Sequence, residues 1–363
     1  MPTHNPENER IKRQYFAYLK EAKRRGEPSV DAAAKALSSF ELDTRFRSFK
    51  TFHPEQAVAF KRHLAEQTNA RTGKPLAKAT IHSTLAALKA FFVWLAGQPS
   101  YRSRLSYSDA DYFNLSDRDA RIARTRRDKP APSLEQVRHV IGTMPTNDAI
   151  QRRDRALVAF ILLTGARDGA VASLKLKHLN LALGCVVQDA REVATKFGKT
   201  FTTSFFPVGA DVQRIVEEWA EYLTVELLWG PDDPLFPATL VEGGMDRTFR
   251  AVGLERRHWS SADPIRQIFR RAFTTAGLSY FPPHRLRDTI VLLGQRLCQS
   301  PEQFKAWSQN LGHSDVLTTF TSYGDLTQGR QAEIIRGLGR PRKSREEVLN
   351  LLAGAMEDLR RVD

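Results

Sequence analysis

Residues 161–180, ILLTGARDGAVASLKLKHLN, carry the end of one buried helix, a break and the start of the next element. The run Ala156–Thr164 is apolar on every side, so a helix of about 148–164 is expected to lie inside a core. Thr164-Gly165 ends it, and Arg167 stands directly ahead of a second apolar series at Val171, Leu174 and Leu176. An arginine tucked behind a glycine turn between two buried elements has little reason to exist as surface decoration. Upstream, Ser133 and Gln136 form an S-x-x-Q capping box that opens a helix through Val137 and Ile141 and starts a domain. Downstream, Cys185–Pro207 (CVVQDAREVATKFGKTFTTSFFP) is the only convincing β region. Its strands are expected at Cys185–Gln188, Glu192–Thr195 and Phe201–Phe206, with a turn at Phe197–Thr200. Helices are then expected at 211–228, 263–276, 284–298, 301–311, from about 314, and at 345–361, where Val348, Leu351, Leu352 and Met356 recur at helical spacing.

The N-terminal part reads as helical throughout residues 8–98. Helices are expected at 9–25, 30–42, 54–67 and 77–96, the last with Ile81, Leu85, Leu88, Phe92 and Leu95 on one face. That makes a bundle of four or five helices. Lys78, His82 and Lys89 fall together beside the apolar stripe and are candidate phosphate contacts, Lys78 and Lys89 above all. Residues 101–131 lack periodicity, mix charges and close between Pro130 and Pro132, so they are expected to be a linker. The expected organisation is a helical domain at 1–100, the linker, a second domain at 132–340 and a C-terminal helix at 341–363. The polar N-terminus and the lack of an 18-residue apolar run predict neither a signal peptide nor a membrane span.

The chain of 363 residues has a formal net charge of +14. Of this, +11 falls in residues 1–130 and only +3 in the rest. A surplus confined to one region marks a surface for a polyanion, and DNA and RNA are the commonest. No segment sets a Lys/Arg face against Trp/Phe, which disfavours an anionic membrane. Gly198-Lys199-Thr200 resembles the end of a P-loop, but Val193 occupies the place of the first glycine. The nine histidines and two cysteines form no zinc pattern, no G-x-S-x-G occurs and no carboxylate pair stands out. What remains is basic residues at turns and helix starts: Arg167; Pro283-His284-Arg285-Leu286-Arg287, which sets His284 and Arg287 on one helical face; Leu311-Gly312-His313-Ser314; and Thr318–Gly324, TTFTSYG.

In this order, T-G-A-R, G-K-T, H-R-L-R, L-G-H-S and T-T-F-T-S-Y resemble the tyrosine recombinase (phage integrase) family. The specific motifs cover residues 133–330, and the basic bundle of 8–98 resembles the family's core-binding domain more weakly. The resemblance implies a mainly α fold with a small antiparallel β-sheet. It implies a helical core-binding, DNA-binding bundle at 1–100 followed by a mixed α/β catalytic domain at 132–340. Arg167 and Arg287 are implied to hold the scissile phosphate, with His284 and His313 in the two histidine positions and Tyr323 as nucleophile. Lys199, eight residues before Pro207, is the implied β-turn lysine, with Lys196 as the alternative. Two features depart from the family. Ala170 stands where an acidic residue is usual, leaving Asp168 or Asp288 to substitute, and the step from His313 to Tyr323 is one residue longer than the commonest spacing.

The expected activity is site-specific recombination through a 3′-phosphotyrosine intermediate, with no metal, ATP or other cofactor. Two guanidiniums supply bidentate forks for phosphate oxygens, positive surroundings favour the phenolate, and Lys199 protonates the departing 5′ oxygen. The expected partners are double-stranded DNA and further copies of the chain, as a tetramer on DNA in the cytoplasm at the nucleoid. The helix at 345–361 is expected to pack either in cis or on a neighbouring protomer. A type IB topoisomerase and a non-catalytic DNA-binding protein of the same fold are the alternatives.

Overall fold

The computed structural model describes residues 4–70, 72–125, 130–243 and 248–313. The chain divides into two compact units, residues 1–127 and 128–363. The first is helical. Helix α1 (Pro6–Ala17) is capped by Asn5, whose side chain accepts from the Glu7 and Asn8 amides, and it runs on through a π-helical turn at Tyr18–Ala22. Then follow α2 (Glu27–Asp43), α3 (Pro54–Glu66), α4 (Lys78–Ala96) and α5 (Asp117–Arg124). Helix α4 has the length and hydropathy of a membrane span, yet Ile81, Leu85, Leu88, Phe91, Phe92 and Leu95 are all spent on the core. There Phe40, Phe52, Phe92 and Phe113 meet in edge, tilted and stacked contacts 4.4–6.2 Å between centroids.

Phe113 lies in the stretch expected to be a linker, and the structure corrects that expectation. Tyr101, Leu105, Ala110 and Phe113 are buried in this core, Tyr107–Phe113 forms a 3₁₀ helix, and Ser116 caps α5. The apolar residues are irregularly spaced because 3₁₀ and turn geometry present them, not an α-helix, so periodicity does not reveal them.

The second unit opens with α6 (Leu134–Thr143), where the Ser133/Gln136 capping box is formed in both directions. Helix α7 (Ala149–Thr164) is buried along its whole C-terminal half, and a short helix α8 (Asp168–Val171) follows. Strands β1 (Leu179–Asn180), β2 (Cys185–Gln188) and β3 (Phe201–Ser204) make an antiparallel sheet in that order, with Cys185 opposite Ser204 and Gln188 opposite Phe201. Glu192–Thr195, expected as a strand, is a turn instead: Glu192 and Val193 both donate their amides to Asp189 O. Helix α9 (Ala210–Glu221) ends in a π-helical turn at Tyr222–Glu226.

A second hairpin, β4 (Ala238–Gly243) with β5 (Phe249–Glu255), was not expected. It is mostly exposed and broken by an irregularity at Leu240/Val241, so it lacks the buried alternating face that marks a strand in sequence. Helices α10 (Asp263–Thr275), α11 (His284–Leu297) and α12 (Pro301–Asn310) complete the described residues. The fold is mainly α with small antiparallel sheets, as expected. Helices α11 and α12 touch closely: Trp307 covers Gly294 and donates its indole N–H to Ile290 O at 3.1 Å.

Candidate active site

The site is built on the corner between α7 and α8. Gly165 adopts φ 60° and closes α7 with its amide on Ile161 O at 2.9 Å. A Cβ here would lie 2.7 Å from Leu311 Cδ2 and 3.2 Å from Ile290 Cδ1, so both conformation and space demand glycine. Thr164 Oγ1 donates to Phe160 O (2.7 Å) and accepts from the Ala166 amide (3.2 Å), which turns the chain sharply. Arg167 is thereby delivered to the N-cap of α8, half-buried.

Helix α11 supplies the facing groups. His284 is its first residue, and Arg287 sits one turn later with 4% of its surface exposed. Arg287 Nη1 donates to Gly165 O, and Nη2 donates to Leu311 O (2.6 Å) and to His313 Nε2 (3.1 Å). The corner that delivers one arginine is therefore bonded to the other. Gly312, at φ 71°, lies against Phe201 and presents His313 beyond the end of α12. Asn310 fixes that end to β3: its Oδ1 accepts from the Ser204 amide (2.7 Å), its Nδ2 donates to Ser204 O (2.8 Å), and its carbonyl accepts from Thr203 Oγ1 (3.1 Å).

The electrostatics follow from this packing. Burial, then the Arg167 charge, pushes Arg287 down to about 9, still high enough to stay cationic at neutral pH. Burial also lowers Arg167. Burial first, then Arg287, Arg167 and His284, pushes His313 down to about 4, and His284 is lowered by shielding and by Arg287. At neutral pH the site thus holds two cations and two neutral imidazoles. Neither arginine is ion-paired among the described residues. The nearby carboxylates are engaged elsewhere, Asp168 with Arg266 Nε (2.8 Å) and Asp288 with Arg285. Two guanidiniums brought together with no carboxylate ion-paired to either among the described residues can receive a tetrahedral anion.

The structure thus brings together Arg167, His284, Arg287 and His313. Lys199 is exposed, just beyond the left-handed Gly198 on the connection between β2 and β3, and Lys196 is exposed three residues earlier. Tyr323 and the helix expected at 345–361 lie outside the described residues. Lys78 and Lys89 belong to the first unit, where each is ion-paired, Lys78 with Asp119 (3.0 Å) and Lys89 with Asp111 (2.7 Å). The sequence reading missed the carbonyls of Gly165 and Leu311 as anchors of Arg287, and the grip of Arg266 on Asp168. The first two belong to backbone and leave no residue-type signal; the third joins residues far apart in the chain.

A model of the phage integrase family matches residues 133–330. Tyrosine recombinase XerC of Halalkalibacterium halodurans is 24% identical over 316 residues, covering 83% of this chain and 89% of that protein. XerC of Lactobacillus delbrueckii subsp. bulgaricus is 24% identical over 251 residues, 68% of this chain and 72% of that protein. Among solved structures, a lambda integrase dimer bound to a COC′ core site aligns with TM-score 0.61 at 12% identity, covering 88% of this chain and 96% of that one. The XerH recombinase in a post-cleavage complex with a palindromic difH substrate aligns with TM-score 0.58 at 20% identity, covering 89% and 83%. The chain belongs to the phage integrase family, the tyrosine recombinases, and is a DNA strand-transfer enzyme that cleaves and rejoins DNA at specific sites.

Proposed function

We propose that Arg167 and Arg287 clamp the nonbridging oxygens of one scissile phosphate and that Tyr323 attacks it in line. The Tyr323 Oη–phosphorus bond forms as the bond to the 5′ oxygen breaks, leaving a 3′-phosphotyrosine and a free 5′ hydroxyl. Neutral His284 takes the phenolic proton, since the Nε2 of His313 already accepts from Arg287. Lys199 gives a proton to the departing oxygen, and rejoining runs the same steps backwards. The phosphotyrosyl bond stores what was broken, so no ATP is consumed, and the guanidinium pair carries the charge stabilisation that a metal would otherwise supply. The observation supporting this reading is that two arginines, neither ion-paired among the described residues, are gathered with two neutral imidazoles.

The partner is duplex DNA, with four protomers acting across two sites at the nucleoid; the lambda integrase and XerH relatives are solved on their own DNA sites. Surplus positive charge in residues 1–130 supports a DNA-embracing role for the first unit, with Lys78 and Lys89 exchanging their carboxylates for phosphates. The test is covalent capture. A library of nicked duplexes randomised over the cleavage region is incubated with the full chain, and adducts resolved on a denaturing gel are sequenced. Wild type yields adducts of one defined sequence, and Tyr323→Phe yields none while still retarding the same duplex. An adduct that survives Tyr323→Phe overturns the assignment.

A further inference from the structure

The connection from Asp189 to Thr200 carries Lys199, and half of it is pinned to the segment that begins with Arg167. Val193 is driven into the core with 2% of its surface exposed. The Ala194 amide donates to Ser173 Oγ (2.8 Å), which in turn donates to Ala170 O (2.9 Å) on α8. Glu192 is held by three groups: Oε1 by Lys177 Nζ at 2.8 Å and more loosely by Lys175 Nζ at 3.6 Å, and Oε2 by His178 Nε2 at 3.0 Å. His178 is itself buried, and its Nδ1 accepts from the Lys175 amide (3.0 Å), so Nε2 carries the proton and donates it to Glu192. At the far end, β3 is fixed to Asn310 beside His313. Thr200 Oγ1 accepts from the Ala190 amide (3.0 Å), so Thr195–Lys199 spans the gap between these two anchors, and Lys199 lies at its end.

We propose that Glu192 is a positioning residue for strand cleavage. Its clasp by Lys177 and His178 fixes the start of the lysine-bearing span relative to Arg167, so that Lys199 meets the leaving oxygen of the phosphate that Arg167 and Arg287 hold. This rests on the reading of Lys199 as the proton donor. A loop held only by its strands would leave a long, flexible lysine to search for its target, and a misplacement of about 1 Å costs about 10²-fold in rate. Glu192 touches neither phosphate nor DNA in this scheme; it acts through where it puts Lys199.

The leaving group separates positioning from mere folding. On the captured duplex, the scissile 5′ oxygen is replaced by sulfur, whose thiolate departs without taking a proton. With the ordinary oxygen substrate, Lys199→Ala is expected to cleave about 10²–10⁴-fold more slowly than wild type. Glu192→Ala is expected to be slower by about 10- to 10²-fold. With the sulfur substrate both variants return to within about threefold of wild type, because the step that needs the lysine has gone. Glu192→Ala slowed equally on both substrates, or unchanged on both, overturns the positioning role while a rescued Lys199→Ala leaves the proton-donor reading standing. Lys199→Ala not rescued by sulfur, with wild type active, overturns the proton-donor reading and the proposal with it.

Discussion

Arg153 and Arg287 are both buried arginines of the second unit, and their surroundings differ in one respect. Arg153, 2% exposed, gives Nε and Nη2 to Asp154 Oδ1 (3.0 and 2.7 Å) and Nη1 to Pro237 O and Thr239 Oγ1 (3.0 and 2.9 Å). Its guanidinium also lies 5.0 Å from the Trp259 ring, and Arg271 takes the second oxygen of Asp154 at 3.2 Å. Arg287 instead has two carbonyls and an imidazole as acceptors, and the charge that acts on it most is a second cation, Arg167, with Asp288 opposing it more weakly. Burying a charge with its partner ties α7, β4 and α10 together as structure. Burying one with no ion-pair partner among the described residues costs folding free energy that a bound anion would offset.

The sharpest way to break this contrast is Arg167→Ala. The Arg167 side chain makes no hydrogen bond or ion pair among the described residues, so the variant should fold with an unchanged or slightly higher Tm while single-turnover cleavage falls by about 10³–10⁵-fold. A variant that unfolds would place Arg167 with the structural arginines. The reverse pattern is expected of Arg153→Ala, which strands Asp154 in the core and costs about 3–5 kcal/mol in urea unfolding. Its cleavage rate per folded molecule should hold. Acid titration gives a smaller effect. The unfolded chain protonates a histidine near 6.5, whereas folded His313 does so only at about 4. The stability tied to neutral His313 is therefore present above 6.5 and drains away as pH falls towards 4, by about 2 kcal/mol after allowance for its partial exposure. His313→Asn should remove that part of the pH dependence, with the Arg153 network unaffected. The smallest effect is ligand stabilisation: sulfate at several times its Kd should raise the unfolding free energy by about 1 kcal/mol in wild type and in Arg153→Ala, but not in Arg167→Ala.

Much of this was legible in residue order. Gly165 before Arg167 fixed a turn, His284 and Arg287 at three-residue spacing fixed a shared face, and the Ser133/Gln136 box fixed where α6 begins, because each is a local rule. The composition of Glu192–Thr195 predicts a strand, whereas Glu192 there serves a clasp to Lys177 and His178. Tyr101–Phe113 was misread as linker because its core contacts are spaced for 3₁₀ and turn geometry, and β4–β5 escaped notice because an exposed ribbon carries no inward face. What separates Arg153 from Arg287 could not be read at all: both follow helical patterns, and only their neighbours in space tell them apart.

The carbonyl of Gly165 reaches Arg287 while the missing side chain of the same residue makes room for Leu311 and Ile290. The two arginines therefore share one backbone hinge-pin, and neither can shift without disturbing the other or the stretch leading to His313. Enlarging Ile290 or Leu311, both apolar and neither in contact with DNA in this scheme, should consequently surface in a genetic screen as a recombination defect in a protein that still accumulates normally.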